Sequence, residues 1–144
     1  MAAVLLDSKT SQNASYANSI AVPITLINTP NMIAQQTLDL SGGLPGLTRV
    51  EFTGVCAVQL PLLPLLTTIN IFVTRGLTAS DINVFSASQN LDLSLLGPQL
   101  FAFSGSDFNA PNVANQAYSV FIQSSALGTI RVGPESFNFT AYSE

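Results

Sequence analysis

From residue 48 the chain alternates. In TRVEFTGVCAVQL (48–60), Val50, Phe52, Cys56, Val58 and Leu60 fall on one side. Arg49, Glu51, Thr53, Val55, Ala57 and Gln59 fall on the other. Successive side chains of a strand point to opposite faces, so this spacing predicts a long strand with one apolar face. Such a face needs a covering layer. The other readable segments are strand-like too, so that layer is expected to be a second sheet. Gly54, inside the strand, predicts a bulge or a close backbone approach.

The same alternation recurs along the chain. Residues 33–40 place Ala34, Gln36, Leu38 and Leu40 together. Residues 67–75 (TTINIFVTR) set Ile69, Ile71 and Val73 against Asn70, Phe72 and Thr74. They are expected to pair with 48–60 as its antiparallel neighbour. Shorter strands are predicted over 82–87, 91–96 (LDLSLL), 100–103 and 129–132. Residues 117–123 put Tyr118, Val120 and Ile122 on one face, and 136–142 turn Phe137, Phe139 and Ala141 inward. Residues 19–27 are β-branched but carry Pro23, which donates no backbone bond, so they are expected at an edge or a bulge. Gly, Pro, Asn and Ser punctuate these runs, the longest irregular stretch being 104–115.

No run shows helical spacing, and the helix formers Lys and Glu are scarce. The fold class is therefore all-β. With 144 residues in one domain, a two-sheet antiparallel β-sandwich of jelly-roll type is the expected architecture.

Two stretches fall outside the alternation. Residues 1–18 read as an N-terminal extended arm, separate from a sandwich over 19–144. In it Ala2, Ala3, Val4, Leu5 and Leu6 form an apolar bead, and 7–18 (DSKTSQNASYAN) a polar tether. Such a bead suits strand addition on a sheet edge, of its own subunit or of a neighbour. Residues 61–66 (PLLPLL) put Leu62, Leu63, Leu65 and Leu66 where a polar hairpin turn is ordinary. Proline keeps them out of a helix interior or a central strand. They either plug the end of the sandwich or mark an exposed subunit contact. The bead and these leucines are the candidate contact residues.

Composition narrows the function classes. The chain is 47% hydrophobic but only 8% charged, against about a quarter in typical domains. The most apolar run is broken by Gln59, Pro61 and Pro64, well short of the roughly 20 residues of a spanning helix, so membrane insertion is not expected. Lys9, Arg49, Arg75 and Arg131 are the only cations and are scattered, so nucleic acid is not an expected partner. The start, MAAVLLDSK, has no cationic leader, and no secretory signal is expected.

Candidate chemistry is thin. There is no histidine, which removes the commonest general base and metal ligand. Asp7, Asp39, Glu51, Asp81, Asp92, Asp107, Glu135 and Glu144 are spread singly. Asp107, Asn109 and Asn112 offer oxygen ligands, but at no calcium-loop spacing. Cys56 sits on the apolar face and reads as a small buried hydrophobe. No enzyme activity, cofactor or metal is expected.

Residues 33–52 (IAQQTLDLSGGLPGLTRVEF) and 135–142 (ESFNFTAY) carry a resemblance. An "apolar–Ser/Thr–apolar–Asp" strand, a loop, a "V-x-[VI]-E-F" strand and an "SFxF" final strand resemble small spore-surface proteins of Firmicutes. These include endospore appendage subunits, with a C1q/TNF-type jelly roll. The resemblance implies a self-assembling fibre or layer protein at a cell or spore surface, whose partners are copies of itself and other surface proteins. It also implies an N-terminal connector reaching into a neighbouring subunit. Residues 1–18 have the place for that connector but no cysteine to lock it, so docking would be non-covalent.

Two functions follow. The first is a non-enzymatic structural subunit that self-assembles, with its arm docked on a neighbour. The alternative is a trimeric jelly-roll knob, or a viral-type capsid or spike domain, that binds a receptor or glycan through its loops, chiefly 104–115.

Overall fold

A computed structural model describes residues 2–144; Met1, the first residue of the expected arm, lies outside it. The described residues form strands and loops, with no helix. The strands are β1 (Val4–Ala14), β2 (Val22–Pro23), β3 (Asn31–Leu38), β4 (Thr48–Gln59), β5 (Thr68–Arg75), β6 (Ile82–Asn90), β7 (Gln99–Asp107), β8 (Gln116–Ser124) and β9 (Ile130–Ser143).

Strand β4 forms as its alternation predicts. Val50, Phe52, Cys56 and Val58 are buried, and Leu60 beyond its end is buried too. They meet Ile69, Ile71 and Val73 of β5 and Tyr118, Val120 and Ile122 of β8 in one core, with Phe137, Phe139 and Ala141 of β9. Each such side chain contributes about 1.5–3 kcal/mol by leaving water. Gly54 marks a close approach: a Cβ there would lie 2.7 Å from the Phe103 ring and against Phe137. Gly105 likewise faces Phe52 and Phe85 at 2.7 Å. The two glycines make room for a cluster in which Phe52 meets Phe85 edge-on and Phe85 stacks on Phe103.

All pairings are antiparallel. One sheet runs β1-β9-β4-β7, with β2 also on β9; the other runs β3-β8-β5-β6. From β3 onward the chain crosses between sheets at each connection except the β5–β6 hairpin. A five-stranded and a four-stranded sheet wound in this order are a jelly roll.

Several expectations are corrected. Strands β4 and β5 do not pair; they lie in different sheets, and residues 60–67 cross between them. Strand β5 pairs instead with β6 and β8, so its apolar face meets that of β4 across the core. Residues 19–27 contribute only the two-residue β2, since Pro23 cannot extend the ladder. Residues 91–96 are a loop. Asp92 there turns the chain by accepting bonds from the Ser94 amide (2.9 Å) and hydroxyl (2.6 Å).

Residues 4–14, read as bead and tether, form β1 along the edge of the chain's own sheet. The backbone ladder to β9 carries this pairing, because most β1 side chains are exposed. Polar bridges add to it. The Asn13 amide donates to Ile33 O (2.6 Å), Gln36 donates to Thr10 O (2.6 Å), and the Asp39 amide donates to Asp7 (2.8 Å). A polar segment thus completes a sheet that an apolar pattern does not announce.

Candidate assembly surfaces

Antiparallel register gathers four connections at one end of the sandwich. Gln59 pairs with Ile130, Val58 with Gln99, Thr68 with Asn90 and Ile69 with Ser124. Loops 24–30, 60–67, 91–98 and 125–129 therefore emerge together. Backbone bonds stitch them: Leu91 N to Thr67 O (2.9 Å), Ser125 N to Thr68 O (3.0 Å), Ile24 N to Thr129 O (2.9 Å) and Asn28 N to Ser124 O (2.8 Å).

Beneath these loops the core is already closed by Ile24, Leu60, Leu91 and Ala126, all buried. The leucines of residues 61–66 have nothing left to fill. Leu62 is 92% exposed, Leu63 88% and Leu66 73%, with Leu65 also exposed. The end-plug expectation is thus overturned in favour of an exposed patch. Leu26 and Ile27, Leu93, Leu95 and Leu96 (82%), and Leu127 extend it over the other loops. Asp92 is the one ionised side chain in the four loops.

The apolar bead lies elsewhere. Val4 pairs with Ser143, which also pairs with Thr48. This is the far end of β4, roughly 35 Å from the leucine loop at strand rise. Ala2, Ala3, Val4 and Leu5 are exposed, while Leu6 is half-buried against the core. The structure therefore does not bring the two sets of candidate contact residues together.

At that far end the chain buries charge. Arg75 donates through Nε and Nη2 to Asp107 Oδ2 and Oδ1, each 2.7 Å, and the Tyr118 hydroxyl donates to Oδ2 at 2.7 Å. Burial pushes the Asp107 carboxyl up, but the bonds from Arg75 and Tyr118 and the arginine's charge outweigh it and hold the group below its ordinary range. Burial, then the bond and charge of Asp107, push the Tyr118 phenol up. Asp107 is thus a fixed anion at neutral pH, engaged by Arg75 and Tyr118.

A second pair lies along β9. Arg131 donates to both oxygens of fully buried Glu135 at 2.5 and 2.6 Å, and Asn13 of β1 donates to Oε1 at 2.8 Å. Arg49 bonds Glu144 at 2.7 Å and sits over the Tyr142 ring. All three arginines are thereby ion-paired within the chain, and Lys9 stands exposed on β1. Sequence reasoning took these charges as single and scattered. Arg131 and Glu135 were four residues apart in plain view, but the strand pattern gave no cue that a bulge would join them.

Cys56 is buried, and burial, then the charge of Glu135, push its thiol up to about 12. It is an unreactive core group. Among the described residues, no group of three or more His, Cys, Asp or Glu converges as a metal site.

No protein-family model matches the chain, and no curated protein matches it by sequence. Solved structures do. One from the infectious bursal disease virus Gx strain matches with TM-score 0.52 at 12% identity, over 94% of this chain and 31% of that one. The VP2 subviral particle of the same virus matches with TM-score 0.52 at 11% identity, over 96% of this chain and 37% of that one. A mutant VP2 protein in T=1 particles matches with TM-score 0.50 at 11% identity, over 95% and 36%. The chain spans about a third of the length of these proteins. At such identities the likeness is one of fold: this chain has the jelly roll found in structures of infectious bursal disease virus and its VP2.

Proposed function

We propose that this chain is a non-catalytic structural domain of viral-shell or projection type that assembles with copies of itself. One observation carries the reading. A rigid sandwich holds its arginines in internal pairs and presents, at one end, a nearly uncharged apolar surface of loops. Contiguous surfaces of that kind mark sites that other protein covers. The likeness in fold to VP2 from subviral and T=1 particles supports the same reading. Sedimentation velocity and negative-stain microscopy of the pure protein test it. Closed oligomers or particles whose population grows with concentration are expected. A monomer up to the solubility limit would refute it.

A fibre formed by exchange of β1 between copies is a second reading. It is favoured by the thin apolar hold on that strand, where Leu6 and Ala14 are the main inward contacts. Filaments in the same micrographs, lost on deleting residues 2–14, would select it.

A further inference from the structure

The self-assembly reading leaves open which surface meets which. Resting on that reading, we propose that copies meet end to end through loops 24–30, 60–67, 91–98 and 125–129. Leu62, Leu63, Leu66 and Leu96 are the anchors.

Size is the first argument. The exposed aliphatic side chains of these loops present on the order of 1,000 Å². The largest patch on an ordinary monomer is roughly 300–600 Å², and a stable interface buries roughly 800 Å² per partner. The surface is thus large enough to be one side of a lasting contact. It is also pre-organised. Pro61 and Pro64 restrict the leucine loop, and a backbone bond from Leu91 holds its last residue, Thr67, so less conformational entropy is lost on docking.

Charge selects the occupant. A second copy's loop end brings leucines and a single Asp92, itself held in a turn by Ser94. A head-to-tail contact would instead set these leucines against an end that exposes Leu44, Leu77 and Phe108 but also carries Asp39, Asp81 and the Arg49–Glu144 pair. It would strip water from carboxylates and offer no cation in return. A membrane is the poorer fit, because surface-bound segments use Lys or Arg to engage anionic headgroups and these loops contain neither. Like on like, closing as a two-fold or small cyclic ring, brings only Asp92 of each copy near the contact, its carboxylate already bonded by Ser94.

Site-specific cross-linking of the full chain tests this. Buried Cys56 can stay in place, since its thiol is inaccessible. Leu63→Cys is expected to give disulfide-linked dimers on mild oxidation, and Leu5→Cys, at the far end, to give none. The triple variant Leu63→Ser, Leu66→Ser, Leu96→Ser is expected to keep the circular-dichroism spectrum and weaken association by about tenfold per leucine. Cross-links that form only when Leu63→Cys and Leu5→Cys chains are mixed would overturn the end-to-end geometry. So would an assembly that persists unchanged in the triple variant, with self-assembly itself intact. A wild-type monomer would overturn the underlying reading as well. A monomer that floats with phosphatidylcholine–phosphatidylserine vesicles through Leu63 would replace the partner copy by a membrane.

Discussion

At one end of the sandwich Leu62, Leu63, Leu66 and Leu96 stand exposed, with Asp92 the one ionised neighbour. At the other end Arg75, Asp107 and Tyr118 lock together beneath the surface. Both ends are built from loops of the same two sheets. At the far end the buried polar groups satisfy one another inside the chain, while Leu44, Leu77, Ile82 and Phe108 stand exposed among carboxylates and the Arg49–Glu144 pair. The leucine end seals its core with Ile24, Leu60 and Leu91 and leaves further leucines over. Removing that residue of apolar area from water needs a second molecule. The end whose exposed apolar surface is almost free of charge is therefore the end best suited to association.

The comparison breaks most sharply at Asp107. Replacing it by alanine leaves half-buried Arg75 and buried Tyr118 without their acceptor, a loss of up to about 3–5 kcal/mol, the figure for a broken buried pair. For a chain of this size we expect the Tm to fall on the order of 10 °C, read by circular dichroism. The oligomer mass at room temperature should be unchanged if copies meet through the leucine end as proposed. A mass that falls with the Tm would mean the two ends are not independent.

Acid sharpens the same contrast. The Asp107 carboxyl is held below its ordinary range, so its contribution is fully present above the pKa of an unfolded aspartate. That contribution is lost as pH falls through the lower folded value. The Tm should therefore drop between about pH 5 and pH 2, and Asp107→Asn should make the drop shallower. Association through leucines titrates nothing and should follow the fold. A mass that changes before the Tm does would point to a carboxylate in the contact.

Smaller effects bracket the pair. Arg49→Ala removes the surface bonds to Glu144 and Glu51 and the stacking on Tyr142. Its Tm shift should be a small fraction of the Asp107→Ala shift and should vanish in about 1 M salt, where exposed pairs are screened. Smallest of all, Leu63→Ser at dilute, monomeric concentration should alter folding stability by less than about 0.5 kcal/mol. A larger loss would place Leu63 in the core and remove the contrast.

Much of the fold was legible because strands with one buried face write that face every second residue. The inward sets of β4, β5, β8 and the last part of β9 were all readable, and Gly54 announced a close approach, though of backbone and not of the Phe103 and Phe137 rings found there. The leucine loop was legible as an anomaly but not as an exposed surface, since the pattern cannot say whether the core beneath is already full. Strand addition by the bead was foreseen, but the polar remainder of β1, residues 7–14, was missed because backbone bonds and side-chain amides hold it, and neither leaves a periodic apolar trace. Residues 91–96 misled for the opposite reason: leucine alternates there, yet only Leu91 reaches the core.

By itself the sequence determined that this chain makes sheets, which faces of the long strands turn inward, and that little ionisable chemistry is available. Those properties are local, set by side-chain period and residue type. The strand order, the partner of each arginine and the gathering of four loops into one apolar end were decided only by the tertiary structure. They depend on which strands lie side by side, and residues as far apart as Thr10 and Asn138 become neighbours only when two sheets close on a shared core.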